Sequence, residues 1–315
     1  MDIINYAHFL EEKPAIASLC LYLVFVVIHF LSEPLRWNLY LSFPSSSIKL
    51  LTQIFSLTAF STYILPLKLG LPLRLWLLKS HTSQSISTLT GLMLFDGLLY
   101  YCMWGISVLI TLPGIQHIIH NNLIPYRTLV LSVIFFFVFT LTILFFLARK
   151  TRSAASPHNA TKASRISQLR KLLVNFSKQS RLLGKKTVIL GIVICTIDIL
   201  SHVFRHWALL TFLGQDIALP VIAAISCLSL FAGLITMMPM GLGGYDVTLV
   251  LLLTQVGVSS EIAVAIPVLN RLGNIMVSTL LGVWGGWKLG INPIVEHKLL
   301  KKRLDNFRSL ISPQK

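Results

Sequence analysis

Two arginines, Arg74 and Arg271, stand within or beside apolar runs of the chain, and each has an aspartate at the matching place in the other half. A charged side chain at membrane depth costs roughly 3 kcal/mol even on mild insertion scales, so it normally faces a cavity or a partner. A planar guanidinium suits bidentate contact with a phosphate, which predicts head-group binding. In the alternative interpretation, Arg74 pairs with Asp246. Asp96 would then pair with Arg271, and both pairs would hold two halves of the protein together.

Proline and glycine break the apolar runs in two similar stretches. Pro66 precedes Gly70 by four residues, and Pro239 precedes Gly243 by four, at an offset of 173 residues. The second stretch holds three glycines, namely Gly241, Gly243 and Gly244. Glycine permits backbone angles closed to other residues and lets a ligand approach main-chain amides. Broken helices at membrane depth line protein-enclosed or water-filled cavities, so these stretches predict a binding cavity.

Three ionisable residues, Asp198, His202 and His206, recur at steps of four along one apolar run, with Arg205 beside them. One hypothesis is a proton relay, because histidine titrates near physiological pH. A metal site is disfavoured, since the stretch lacks the glutamate of the zinc-protease motif and a clear third ligand. The simplest interpretation is that Asp198 bonds a neighbouring helix while His206 approaches the membrane interface.

The first apolar run ends in another polar group. His29, Glu33 and the dipeptide Arg36-Trp37 loosely echo the segment from His202 to Trp207. Arginine and tryptophan are frequent at the membrane–water interface. We therefore expect this first group to be interfacial anchors.

Composition predicts an all-α polytopic membrane protein. At 315 residues and 55% hydrophobic, the chain cannot bury its apolar side chains in one soluble core. The net charge of +16 is concentrated beside apolar runs, as in cytoplasmic loops facing anionic lipid, which argues against nucleic acid as a partner. The four cysteines lie inside apolar runs without paired spacing and predict neither a disulfide nor a zinc site. No nucleotide-binding string or nucleophile pair is found, so we expect no cofactor, no metal and no catalytic residue.

Four segments organise the chain. The predicted boundaries are a first membrane repeat at 1–147, a basic linker at 148–186, a second membrane repeat at 187–288 and a basic tail at 289–315. The linker holds eleven Lys or Arg and no acidic residue, which places it and the tail in the cytoplasm. The first spanning helix is expected to end at Pro34 and to be retained, because no cleavage site follows it.

The two basic anchors also predict how the repeats are oriented. If the linker and the tail are both cytoplasmic, the helices holding Asp96 and Arg271 run in opposite directions, which makes the repeat inverted. Each broken segment is then either a re-entrant hairpin or a full crossing. The hairpin is slightly favoured, although about seventeen apolar residues suffice to cross.

At these motifs the chain resembles the transmembrane region of lysylphosphatidylglycerol synthases, a flippase-like domain. The second-half signature of that family stands here as Pro239-Met240-Gly241-Leu242-Gly243-Gly244-Tyr245-Asp246, with Met for a glycine and Asp for a glutamate. The first-half pattern is matched by Pro66, Gly70 and Arg74, and the late Arg-Leu by Arg271-Leu272. No soluble aminoacyltransferase domain follows in this sequence. The resemblance therefore implies the lipid-translocating activity, from inner to outer leaflet, in a bacterial inner membrane.

The sequence thus predicts a lipid flippase or transporter, not an enzyme, for a phospholipid or a polyprenyl-phosphate lipid with an anionic or zwitterionic head group. The residues assigned to the head-group site are Arg74, Arg271, Pro66, Gly70, Pro239, Gly241, Gly243, Gly244, Asp246 and Asp96. The alternative is an accessory scaffold for a lipid-modifying enzyme or glycosyltransferase, which would depend on the basic linker. A membrane-embedded transferase using Asp198 and His202 is a third possibility.

Overall fold

In the computed structural model, the described residues form helices joined by turns, and none of them forms a strand. They are residues 13–41, 48–64, 70–115, 183–235 and 243–290. The helices are α1 (Lys13–Leu41), α2 (Ile48–Ile64), α3 (Gly70–His81), α4 (Ile86–Thr111), α5 (Lys185–Phe212), α6 (Leu219–Ile235), α7 (Gly244–Gln255) and α8 (Ser260–Lys288), with a 3-10 turn at Leu112–Ile115. This confirms the predicted all-α class. The segment 116–182 and the tail from 291 lie outside the described residues, so the predicted boundaries of the linker and the tail stay predictions.

Four of the described helices are long and apolar enough to cross a membrane: Ile16–Leu41, Ile86–Ile115, Lys185–Phe212 and Ser260–Lys288. Large apolar side chains such as Ile110 and Leu280 point outward on these helices, whereas several arginines, aspartates and histidines are buried. A protein in lipid needs this arrangement, because acyl chains are the solvent of its outer surface. The chain is therefore a polytopic integral membrane protein.

Helix α1 does not end at Pro34 as predicted, but continues to Leu41. The sequence argument relied on the missing N–H of proline, which usually stops a helix in water. In a bundle, neighbouring helices compensate for the lost hydrogen bond. Trp37 and Tyr40, beyond the proline, are buried in the core, and this packing stabilises the last two turns.

Within the described residues, each half of the chain contributes four helices, and the two sets match in order. Helices α1 to α4 have 29, 17, 12 and 26 residues, and α5 to α8 have 28, 17, 12 and 29. Their packing is also matched. Helix α8 packs on α2 as α4 packs on α6, and α1 packs directly on its counterpart α5. The last helix of each half therefore packs on the second helix of the other half. A pseudo-two-fold axis that relates the halves passes between α1 and α5.

The direction of the central helices shows that the repeat is inverted. Phe25 stacks on Phe204, His29 contacts Asp198, and Tyr40 lies beside Gly191, so α1 and α5 run antiparallel. Two equivalent helices that cross a membrane in opposite directions are related by an axis in the membrane plane. This agrees with the inverted repeat predicted from the positions of the basic segments.

Each broken segment folds as a hairpin of a 17-residue and a 12-residue helix. At the first turn of α3, a side chain at Gly70 would overlap Thr62 of α2, and at the second hairpin Gly233 packs on Tyr245. Helices of 12 residues are too short to cross a bilayer of about 30 Å at 1.5 Å per residue. The helix lengths therefore favour the re-entrant arrangement, while the side of entry stays a prediction. Pro66, Pro239 and Gly241 lie outside the described residues.

Candidate functional site

Charged and polar side chains from both repeats line the interior of the bundle. Glu33–Arg74 and Arg36–Asp96 are ion pairs within the first repeat, and Arg271–Asp246 is a pair within the second. His29–Asp198 joins the two repeats across α1 and α5. The predicted pairs Arg74–Asp246 and Asp96–Arg271 are therefore wrong, because each of these residues finds a nearer partner inside its own repeat.

Arg74 lies on α3, one turn beyond the first break, and is buried. Its Nη1 donates to the Glu33 carboxylate, its Nε donates to the Thr58 hydroxyl at 3.2 Å, and its guanidinium lies 4.2 Å from the centre of the Phe55 ring. The Glu33 side chain stays 35% exposed, so this pair is accessible from one side. An incoming phosphate would compete with Glu33 for the same guanidinium.

Arg271 forms the matching pair at the second break. Its Nε and Nη2 donate to the two oxygens of Asp246 at 3.1 and 2.6 Å, a bidentate contact. Asp246 Oδ2 also accepts from the backbone N–H of Gly243 at 3.3 Å, where the φ of 89° favours glycine. One carboxylate thus neutralises Arg271 and caps α7, whose first residue is Gly244. The positive end of this half-helix is occupied by the protein's own aspartate.

Asp96 is buried in a third pair. It accepts from Arg36 Nε at 2.9 Å, from Arg36 Nη2 at 3.4 Å and from the Tyr40 hydroxyl at 3.1 Å. Arg36 also lies 5.3 Å from the centre of the Tyr100 ring. Arg36 and Trp37 are 3% and 1% exposed, so the prediction that they are interfacial anchors is wrong. The bundle continues past Pro34 and encloses them.

Asp198 bonds a neighbouring helix, as the simplest interpretation of its motif predicted. It accepts from His29 Nδ1 at 2.7 Å, and His29 in turn meets His202 edge to face at 4.5 Å between ring centres. Asp198 and His202 are buried, whereas the His29 side chain is 25% exposed. A proton path through this group would therefore begin at His29, which the sequence-based relay did not include.

His206 is buried and points away from this group, toward the next two helices of its own repeat. Its Nδ1 bonds the Ser226 hydroxyl at 2.8 Å and its Nε2 bonds the Tyr245 hydroxyl at 2.7 Å, while Asn270 Nδ2 donates to that same hydroxyl at 2.9 Å. The prediction that His206 approaches the membrane interface is wrong. One turn beyond His202, the side chain of His206 meets α6 and α7 instead.

Among the described residues, His29, Asp198 and His202 are a group that could hold a metal ion, with ligand atoms within 4.8 Å of one another. The hydrogen bonds at His202 oppose that use. Its Nδ1 faces Arg205 Nη2, and a guanidinium can only donate, so Nδ1 accepts and Nε2 carries the proton of the neutral ring. A cation would also lie beside the positive charge of Arg205. The group fits a metal poorly.

Sequence reasoning missed Glu33, Arg36 and Arg205 as members of the site. A signal for the first two was present, since His29, Glu33, Arg36 and Tyr40 follow the helical spacing i, i+4, i+7 and i+11 and so share one face of α1. Polar residues on one face of a membrane helix indicate an interior face.

Comparison with known proteins adds the family. A family model described as the lysylphosphatidylglycerol synthase TM region matches residues 13–282. The chain belongs to this family. The match includes every site residue above and confirms the predicted resemblance, and a family of membrane proteins with this name is consistent with a role that involves membrane lipid.

One curated relative is a UPF0104 membrane protein of Methanothermobacter thermautotrophicus, which is 29% identical over 118 residues. The alignment covers 37% of this chain and 35% of the relative, so the chain spans about a third of the relative's length. No solved structure matches the chain.

Proposed function

We propose that this protein moves a lipid with an anionic or zwitterionic head group between the leaflets of a membrane without hydrolysing a nucleotide. The observation that carries the proposal is the run of buried, hydrogen-bonded polar residues between membrane-spanning helices of opposite repeats. Polar groups inside a membrane bundle are costly and mark substrate pathways. Inverted repeats with broken helices are the common architecture of transporters that open alternately to each side.

The ion pairs Glu33–Arg74 and Asp246–Arg271 mark the two ends of the proposed lipid path. Glu33 lies one turn along α1 from His29, while Tyr22, two turns the other way, donates to the carbonyl of Asn270 at 3.2 Å, next to Arg271. The Glu33–Arg74 and Asp246–Arg271 pairs therefore lie on opposite sides of the His29–Asp198 contact. Both are partly exposed, so each is suited to receive a head group from its own side by exchanging carboxylate for phosphate.

The acyl chains would remain in the bilayer during this movement, since the outer surface of the helices is apolar. The phosphate-bearing class includes phospholipids and polyprenyl-phosphate lipids, and the basic linker and tail would face anionic cytoplasmic lipid. A bacterial inner membrane and an inner-to-outer direction are proposed from the family resemblance alone.

A head-group accessibility assay tests the proposal. Purified protein is reconstituted in liposomes with fluorescent phosphatidylglycerol, and dithionite reports how fast label leaves the inner leaflet. We expect R74Q and R271Q each to slow the exchange about tenfold or more, because each removes a charge-assisted contact worth roughly 1.5–3 kcal/mol. The double variant K185Q/K186Q, at the exposed start of α5, serves as the control for the basic linker. Exchange that is insensitive to both arginines would instead support the scaffold.

A further inference from the structure

The described residues include four arginines, and three of them face a carboxylate: Arg36 faces Asp96, Arg74 faces Glu33 and Arg271 faces Asp246. Arg205 does not. It lies on α5 and is 1% exposed, yet its hydrogen-bond partners among the described residues are neutral. Its Nη1 donates to Asn274 Oδ1 at 2.9 Å and its Nη2 donates to His202 Nδ1.

The part of the chain outside the described residues holds five acidic residues. Its acidic residues are Asp2, Glu11, Glu12, Glu296 and Asp305. All of them belong to the two ends of the sequence, and the segment 116–182 contains none. A guanidinium that stays charged inside a membrane bundle needs compensation, because an unpaired buried charge costs several kcal/mol or more.

Two unpartnered N–H groups lie at this cation. Arg205 Nε has no hydrogen-bond partner among the described residues, and neither does His202 Nε2. His202 Nε2 is a donor, since its Nδ1 accepts from Arg205. The two side chains are one helical turn apart on α5 and both are at least nine-tenths buried. Two free donors beside one uncompensated positive charge suit an anion and not a cation.

We propose that Arg205 and His202 bind the phosphate group of the transported lipid in its occluded position, an inference that rests on the proposed function and replaces Arg74 and Arg271 as the central contacts. The oxygens of one phosphate can accept several hydrogen bonds, and both an imidazole N–H and a guanidinium N–H can donate to them. Asn270 Oδ1, a buried acceptor without a partner among the described residues, lies one turn from Asn274 and suits a hydroxyl group of the head.

Arg205 also lies between Arg271 and Arg74 along the proposed lipid path. Asn274, which holds Arg205, follows Arg271 by one turn of α8, and His29, which touches His202, precedes Glu33 by one turn of α1. A phosphate passing from Arg271 to Arg205 and on to Arg74 would meet a guanidinium at each step. Arg74 and Arg271 must each release their own carboxylate before they bind a phosphate. Arg205 has no carboxylate to displace among the described residues, so it is the strongest anion site of the three.

Ligand-induced thermal stabilisation in detergent tests the site. The probes are phosphatidylglycerol, diacylglycerol with the same chains, and inorganic phosphate, and the variants are R205Q and H202F, with K185Q as the matched control on an exposed cation of the same helix. We expect phosphatidylglycerol and not diacylglycerol to stabilise the wild type and K185Q, and R205Q to bind at least about tenfold more weakly. R205K, which keeps the charge, should recover part of the binding.

Stabilisation by inorganic phosphate that R205Q abolishes would also support the phosphate site, and comparing its strength with that of phosphatidylglycerol tells whether free anion or lipid is the ligand. Equal binding of phosphatidylglycerol by wild type and folded R205Q overturns the inference. So does a response to diacylglycerol as strong as that to phosphatidylglycerol. Failure of the wild type to exchange lipid, with phosphate binding still dependent on Arg205, would remove the transport function and keep the site. Lipid exchange that R205Q leaves unchanged would keep the transport function and remove the site.

Discussion

Replacing Arg36 by glutamine should destabilise the protein far more than the same replacement of Arg205. R36Q leaves the carboxylate of Asp96 without the positive charge of Arg36. Asp96 then keeps only the hydrogen bond from the Tyr40 hydroxyl at 3.1 Å, and its side chain is 8% exposed. R205Q strands no carboxylate among the described residues, since the partners of Arg205 are Asn274 and His202. Arg36 and Arg205 are similarly buried, but among the described residues only Arg36 has a carboxylate partner, so the two replacements should differ strongly in their effect on stability.

The magnitude follows from the geometry of the Arg36 pair. At 2.9 Å and an effective dielectric constant near 20, Coulomb attraction is about 6 kcal/mol, which is an upper bound before desolvation. Removing one partner of a buried pair typically costs about 3–5 kcal/mol. At about 1.5 °C per kcal/mol for a chain of 315 residues, R36Q should lower the melting temperature by about 4–8 °C. R205Q should change it by less than about 3 °C, or raise it.

The assay is thermal unfolding of purified protein in detergent, with the double variant R36Q/D96N completing a cycle. The double variant should recover most of the loss, since it removes the stranded charge, and the coupling should exceed about 2 kcal/mol. A melting temperature of R36Q within 3 °C of that of R205Q would refute the reasoning. It would show that Asp96 is neutral in the folded protein or finds another partner.

Two further predictions concern the second break and the helix contacts. D246N should free Arg271 and weaken the cap of α7, which lowers the free energy of unfolding by about 1 kcal/mol in chemical denaturation; an unchanged free energy of unfolding would contradict the capping role of Asp246. At the α2–α8 contact a Cβ at Gly282 would overlap Phe60, whereas one at Gly286 would meet Leu57 at 3.4 Å. G282A should therefore lower the unfolding free energy by about 1–3 kcal/mol and G286A by less than about 1 kcal/mol, and equal effects would place the contact elsewhere.

The sequence predicted the elements well where their physics is local. Helix-length apolar runs and Pro/Gly breaks depend on neighbours in the chain, so the spans, the two breaks and the duplication could be seen. The inversion followed from the positions of the basic segments. The end of α1 at Pro34 was wrong, because packing of Trp37 and Tyr40 against other helices overrode a local rule.

The partners of the charges could not be predicted in the same way. Arg74 and Asp246 were correctly placed beside the breaks, but which carboxylate meets which guanidinium depends on the rotation and register of packed helices. The duplication suggested pairing across the repeats, and the structure pairs Arg74 with Glu33 inside one repeat. Arg205 was seen only as a neighbour of two histidines. Its lack of a carboxylate becomes visible only when every other partner is known.

A high-resolution structure of the protein in nanodiscs of phosphatidylglycerol tests the central claim most directly. The account predicts density for a lipid phosphate within hydrogen-bonding distance of Arg205 Nε and His202 Nε2, with the acyl chains leaving the bundle between helices of the two repeats. Lipid head groups confined to the outer surface, or a carboxylate of the protein bonded to Arg205, would contradict it.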